Sequence, residues 1–367
     1  MPDRYTTAST PTMRGVSADP QTLPLPIHRE AVMDPGQVII DAHHHLYHRP
    51  KIRYLLDEML TDICSGHDVR ATVFVQAQSM LRDFGPEELK AIGETEFAHG
   101  IAVACKEAPP EVPRICAGIV GHADLTLGDG VRPVLEAHIE AGGDHFKGIR
   151  QPLAWDPDPT LSNPAYPSHR ELMEDAAFRR GFAHLAPLGL TFDAWLFFHQ
   201  IPQLTTLARA FPETRIVLNH CGGVLGIGGY RNKREQVHRE WLKNLRELAR
   251  CDNVMVKLGG LGMPLSGFGW ERSERTPTSQ ALADAWTPWF EPCIAAFGAS
   301  RCMFESNFPA DREAYDYAVG WNAMKRVASQ ATQDEKDALF WRSAAQFYRL
   351  PEVYVEQQME EQDHVRR

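Results

Sequence analysis

The chain has no apolar run of the roughly 18 residues that a membrane-spanning helix needs, so no membrane association of that kind is expected. It has no basic excess either. Lys and Arg number 38 against 48 Asp and Glu, and the resulting charge of -10 has the wrong sign for displacing counterions from a nucleic acid. Residues 1–30 lack an apolar signal core and are rich in Pro, Thr and Ser, which predicts an arm in place of a signal peptide. The seven cysteines are scattered, odd in number and without a Cys-x-x-Cys pair. That pattern predicts reduced thiols in a cytoplasmic protein and argues against a disulfide framework or a zinc knuckle. No Gly-x-Gly-x-x-Gly opens a helix after an early strand, which removes the dinucleotide fingerprint of a doubly wound sheet. What remains is a globular composition, 43% hydrophobic and 23% charged, in 367 residues.

Short apolar runs alternate with amphipathic stretches along the chain. Strands are predicted at Val38 to His45, Ala71–Gln76, Ile115–Gly121, His145–Arg150, Leu190–Ala194, Arg215–Asn219, Val254–Leu258 and Cys302–Ser306. Helical periodicity separates them at Tyr54–Ile63, Pro86–Cys105, Val131–Ala141, Leu172–Leu188, Ile201–Phe211, Gln236–Arg250 and Ser279–Phe297. Glu313–Ser329 and Asp334–Tyr348 close the series. Such alternation implies parallel strands joined by helical crossovers, and eight units predict an α/β fold, a (β/α)₈ TIM-like barrel. The expected organisation is an N-terminal arm over 1–37, one barrel domain over 38–350 and a tail over 351–367. The glycine-rich run Gly222 to Gly229 is expected to be a flexible loop at the site.

Barrels of this kind carry their chemistry at the C-terminal ends of the strands. The first strand ends in His43 and His45, whose i, i+2 spacing places both imidazoles on one face. The other ends supply Gln76 and Gln78, His122 and Asp124, Lys147 and Arg150, Asp193 with Trp195 and His199, His220, Lys257, and Glu305 with Asn307. One histidine at a strand end is usually a packing residue. Four on converging strands point to a site.

The segments Ile40-Asp41-Ala42-His43-His44-His45-Leu46, Phe146-Lys147-Gly148-Ile149-Arg150, Phe198-His199-Gln200, Val217-Leu218-Asn219-His220-Cys221-Gly222-Gly223 and Met303 to Pro309 together resemble the amidohydrolase superfamily. Within it they are most similar to the amidohydrolase-related group that contains pyrone-dicarboxylate lactonase and fuconolactonase. The resemblance implies a hydrolytic site, with His43, His45 and His220 as ligands of a divalent metal, zinc being expected. It also implies that His199 binds metal or a carbonyl oxygen. Some lactonases of this branch work without metal, so metal-independent catalysis is the alternative. Where most relatives have Gly-Ser-Asp-Trp-Pro, this chain has Glu305-Ser306-Asn307-Phe308-Pro309. An amide at 307 cannot take a proton at neutral pH. Glu305 is therefore expected to assume acid/base or ligand duty, or else to form a structural ion pair with Lys147 or Lys257.

Arg150 is expected to clamp a substrate carboxylate, the alternative being an ion pair with Asp124 or Asp193. Lys147, Gln76 and Trp270, the last on the loop after strand seven, are further expected substrate contacts. The predicted function is a hydrolase that opens a small carboxylated lactone. A metal-dependent amide hydrolase or a nonoxidative aromatic-acid decarboxylase is the alternative within the superfamily, and a noncatalytic carboxylate-binding barrel the alternative outside it. The expected partner is a small acidic molecule. The arm also suggests a homodimer.

Overall fold

Eight apolar segments form the strands of one parallel sheet: β1 (Val38–His44), β2 (Asp68–Val75), β3 (Arg114–Gly121), β4 (Phe146–Ile149), β5 (Thr191–Ala194), β6 (Ile216–Leu218), β7 (Val254–Leu258) and β8 (Cys302–Phe304). They are neighbours in chain order, so every connection is a local crossover, as the predicted (β/α)₈ barrel requires. In this computed structural model the described residues are 28–49, 52–109, 112–163 and 166–351, with the backbone of Tyr5–Thr6. Beyond β8 the chain runs on against β1: Asn307 N–H donates to His43 O at 2.9 Å and His45 N–H to Phe308 O at 2.7 Å. These bonds bring the last strand back to the first and close the barrel.

The helices are α1 (Leu56–Ile63), α2 (Ile92–Glu107), α3 (Arg132–Gly142), α4 (Ala176–Phe182), α5 (Ile201–Ala210), α6 (Arg234–Leu248), α7 (Ser279–Phe297) and α8 (Tyr317–Val327). The expected single helix over Leu172–Leu188 is broken. A 3-10 turn at Leu172–Glu174 ends where Asp175 caps α4 by accepting from Phe178 N–H at 2.8 Å. The last helical stretch, Gln333–Tyr348, contains a π turn at Ala338–Arg342. It brings Phe347 and Tyr348 under the barrel, where they pack with Ile40, Val73, Val217 and Met303. Each such buried side chain is worth about 1.5–3 kcal/mol of transfer free energy. The floor is therefore sealed, and the polar strand ends lie at the opposite mouth.

Residues 28–37 of the arm dock on their own chain. The Glu30 carboxylate accepts from Ser279 N–H at 2.7 Å, and Lys325 Nζ donates to the carbonyls of Met33 and Asp34 at 3.0 and 2.8 Å. The expected contact with a neighbouring copy falls mainly on residues 1–27, of which only the Tyr5–Thr6 backbone is described. The tail beyond residue 351 also lies outside the described residues. No helix among those described is long and apolar enough to cross a membrane.

Candidate active site

The alternation of β1 breaks where it matters. Ile40 and Ala42 face the barrel interior, so strict alternation would send His44 inward with them. A register shift between Asp41 and His44 turns the strand end instead. His44 points outward, its Nε2 accepting from the Thr72 hydroxyl at 2.8 Å and its ring against Phe74. His43 and His45 face inward together, with their Nε2 atoms 3.2 Å apart. Asp41 holds the bulge in place: its carboxylate accepts from Ser306 N–H at 2.9 Å and from the Tyr317 hydroxyl at 3.1 Å.

His220 completes the group from the end of β6, its ring centroid 4.6 Å from that of His43. The residue sits at φ 53°, left-handed for a side chain with a Cβ, and Cys221 follows at the same φ. Strain of this kind persists only where the surroundings over-determine it. Those surroundings are the loop after β7. A Cβ on Gly260 would lie 2.4 Å from His220 Nδ1, and one on Gly259 would lie 2.4 Å from Glu305 Cγ. Only bare backbone fits against this pair.

Glu305 lies behind the histidines. Its Oε1 accepts from His220 Nδ1 at 2.6 Å and from the His220 N–H at 3.1 Å, and its Oε2 lies 3.0 Å from His43 Nδ1. His45 Nδ1 donates to Val75 O at 2.7 Å. With their Nδ1 protons directed at these acceptors, His45 and His220 keep their Nε2 lone pairs, whereas His43 Nδ1 faces Glu305 Oε2 without a hydrogen bond and has Lys257 Nζ at 3.3 Å. Burial holds His43 and His45 well below the ordinary imidazole pKa, helped by Lys257 beside His43 and Arg150 beside His45. The His43 and His45 Nε2 atoms face each other at 3.2 Å, and Arg150 Nη1 stands 3.3 Å from His43 Nε2, so a cationic donor already borders the pair. Anchoring the far nitrogen on a carboxylate or carbonyl is what fixes a metal-binding histidine. Among the described residues, His43, His220 and Glu305 also form the group of three whose donor atoms lie within 4.8 Å of one another. This His-His-Glu set fits a divalent metal, with His45 beside it.

Residues 40–350 match the family model for amidohydrolase. The chain belongs to the amidohydrolase family. It is similar to L-fucono-1,5-lactonase from Burkholderia multivorans, 26% identical over 332 residues that cover 86% of this chain and 98% of that one. It is 34% identical over 298 residues to y4mH, a Sinorhizobium fredii protein described as uncharacterized, across 81% of this chain and 86% of that one. Among solved structures it resembles a Burkholderia multivorans amidohydrolase with bound zinc, at TM-score 0.65 and 26% identity, over 86% of this chain and all of that one. Membership makes the chain a hydrolase of this superfamily.

In this amidohydrolase neither lysine pairs with Glu305, contrary to the ion-pair alternative. Lys257 Nζ binds Asp193 Oδ2 at 2.7 Å, with both side chains fully buried, and stands 3.3 Å from His43 Nδ1. Asp193 also accepts from the Tyr348 hydroxyl at 2.9 Å and Asn219 Nδ2 at 3.1 Å, which ties the site to the barrel floor. Lys147 is a correction. Its Nζ reaches Arg349 O at 3.4 Å near Arg215, at the end where the strands begin, so it does not line the mouth. Phe146–Ile149 is a four-residue strand, and a residue at its second position is still near the floor.

Arg150 is paired with neither Asp124 nor Asp193. Its guanidinium donates to Gln76 O at 2.5 Å and lies 3.3 Å from His43 Nε2, leaving Nε buried without a partner. Gln76 takes the Tyr166 hydroxyl on Oε1 at 3.1 Å, and its Nε2 is likewise buried and unpartnered. His199 stands apart from the three histidines, its Nε2 held by Asp156 at 3.0 Å and its ring stacked on Tyr230. Trp270 stacks on Phe268 and meets Trp286 edge-on. The Gly222–Gly229 run is packed where it leaves β6: a Cβ on Gly223 would lie 2.0 Å from Leu196 O. Its glycines there serve close packing, not flexibility.

Two acids escaped the sequence reading. Glu94 of α2 accepts from Ala77 N–H at 2.7 Å and Ser79 N–H at 3.1 Å, and burial raises its pKa to about 7. Asp311, four residues past Asn307, is also fully buried, and burial raises its pKa to about 6. Neither stands at a strand end, so a search confined to strand ends passes over both.

Proposed function

We propose that this amidohydrolase opens a small carboxylated lactone with an activated water, using one divalent metal, zinc, held by His43, His45 and His220. The observation that carries the reading is the gathering of His43, His45 and His220 at the ends of β1 and β6, with His45 Nδ1 on Val75 O, His220 Nδ1 on Glu305, and donor atoms of His43, His220 and Glu305 within 4.8 Å of one another. When bound, the metal supplies a Lewis acid that lowers the pKa of water and polarises the ring carbonyl.

The chain's own residues do the rest. Glu305 fixes the tautomer of His220 and lies 3.0 Å from His43 Nδ1. Burial keeps His43 and His45 neutral, so their lone pairs are available at neutral pH. The unpartnered Arg150 Nε and Gln76 Nε2 are donors suited to a substrate carboxylate, which can accept from both. The similarity to a lactonase favours a cyclic ester over an amide.

Opening a lactone at neutral pH liberates a carboxylic acid, so proton release reports turnover. A screen over lactones with and without a ring carboxylate, run on zinc-loaded protein, should show turnover that favours the carboxylated members. Turnover confined to amides, or carbon dioxide release from hydroxybenzoates, would replace this reading.

A further inference from the structure

Asn307 occupies the expected place of the strand-eight acid, yet its amide is held like a working part. Its Nδ2 donates to Asp311 Oδ1 at 2.8 Å, and its backbone N–H is tied to His43 O. Asp311 Oδ2 accepts from the Tyr315 hydroxyl at 2.7 Å and from Gly262 N–H at 2.9 Å. The carboxylate is therefore a fixed acceptor, locked between α8's approach and the loop that also covers Glu305 and His220. A Cβ on Gly262 would lie 2.8 Å from Asp311 Cγ, so the lock is tight.

Fixing Nδ2 on Asp311 fixes the whole amide plane, and Oδ1 must then point the other way. That oxygen is buried and has no partner. A buried acceptor without a donor is unfavourable unless a ligand supplies one. An aspartate at 307 would face Asp311 at the same 2.8 Å, with two carboxylates competing for one proton. The amide and the displaced acid are thus a matched pair.

Resting on the hydrolytic reading above, we propose that Asn307 Oδ1 accepts a hydrogen bond from the attacking water and so aligns it, and that Asp311 is a positioning residue acting through Asn307. No proton is transferred to the amide. The competing view is that Asp311 merely braces the Gly262 loop against Tyr315.

The test is a double-mutant cycle on zinc-loaded enzyme with the best lactone from the screen. Asp311→Ala should lower kcat about tenfold, equivalent to about 1.4 kcal/mol, with KM changed less than about twofold. Asp311→Asn still offers an oxygen to Asn307 Nδ2 and should recover most of the loss. Asn307→Ala should cost at least as much as Asp311→Ala, and adding Asp311→Ala to it should cost nothing further. Circular dichroism and melting curves confirm that each variant is folded. Unchanged kcat in folded Asp311→Ala, equal losses in Asp311→Ala and Asp311→Asn, or additive losses in the double variant would overturn the proposal. A second readout, the Asn307 carboxamide ¹H–¹⁵N signals, should show one strongly hydrogen-bonded proton that Asp311→Ala abolishes; absence of that proton in the wild type also overturns it. A wild type that opens no lactone overturns the functional reading and the water-aligning role with it, and the carboxamide signals then show separately whether Asp311 fixes Asn307.

Discussion

Glu305→Gln is the sharpest perturbation of the site because it keeps shape and removes one charge. Glu305 Oε1 accepts from His220 Nδ1 at 2.6 Å, and Oε2 lies 3.0 Å from His43 Nδ1 without a hydrogen bond. A carboxamide has one acceptor oxygen. If its oxygen stays on His220 the charge behind the pair is still lost, and if its NH₂ turns to His220 that imidazole can receive it only by moving its own proton to Nε2. In the second case the Nε2 lone pair of His220 is lost. A hydrogen bond to a charged group is worth about 1.5–3 kcal/mol, which converts to roughly 10- to 100-fold. Removal of a carboxylate that orients metal-binding histidines has a similar cost of about 10- to 100-fold in metal affinity or activity. The assay is competition for zinc against a chelator, read beside kcat/KM and far-ultraviolet circular dichroism. Weaker zinc binding and slower turnover in a folded variant are expected. Wild-type zinc affinity with near-normal turnover would refute the role given to Glu305.

Other consequences follow from buried groups. Lys257→Met leaves Asp193 charged and unpaired in the core and should cost about 3–5 kcal/mol in denaturant unfolding, whereas Lys257→Met with Asp193→Leu should cost less than the single change. Gly260→Ala places a Cβ 2.4 Å from His220 Nδ1 at a positive φ, so zinc affinity should fall together with stability, by about 1–3 kcal/mol in unfolding. His138 hydrogen-bonds Thr95 Oγ1 and His122 O, and burial lowers its pKa from 6.5 to about 4. Its folded pKa is depressed, so the unfolded chain binds the extra proton first. Stability should be lost as pH falls from 6.5 toward 4, by roughly 3 kcal/mol from this group, and His138→Gln should flatten that part of the pH profile of unfolding. An unchanged profile would remove His138 from the acid response.

The barrel was legible because both of its periodicities are strong. Val254–Leu258 and Ser279–Phe297 form over the residues predicted, and the eight strands fall in the predicted order. The Leu172–Leu188 periodicity misled, since the apolar spacing continues through a turn that Asp175 interrupts with its own cap. In the site, the shared face of His43 and His45 followed from their spacing, but the register shift between Asp41 and His44 that turns that face inward has no sequence signal of its own. Glu305 was recognised as a buried acid in need of partners. That those partners are two imidazoles and not a lysine depends on where β6 and β1 converge. Lys147 failed because position along a short strand, not its face alone, decides which end a long side chain reaches. Asp311 was invisible because the turn after Asn307 brings it back, and no pattern of alternation predicts such a return.

As proposed, His43, His45 and His220 form a metal-dependent hydrolytic centre. The most direct measurement is proton release from carboxylated lactones by the protein stripped with chelator and reloaded with zinc, beside His45→Asn treated alike. Acid release that requires both zinc and His45 is expected, with substoichiometric zinc in the variant. Acid release at the same rate from stripped protein and from His45→Asn, or none from any lactone by the zinc-loaded wild type, would contradict it.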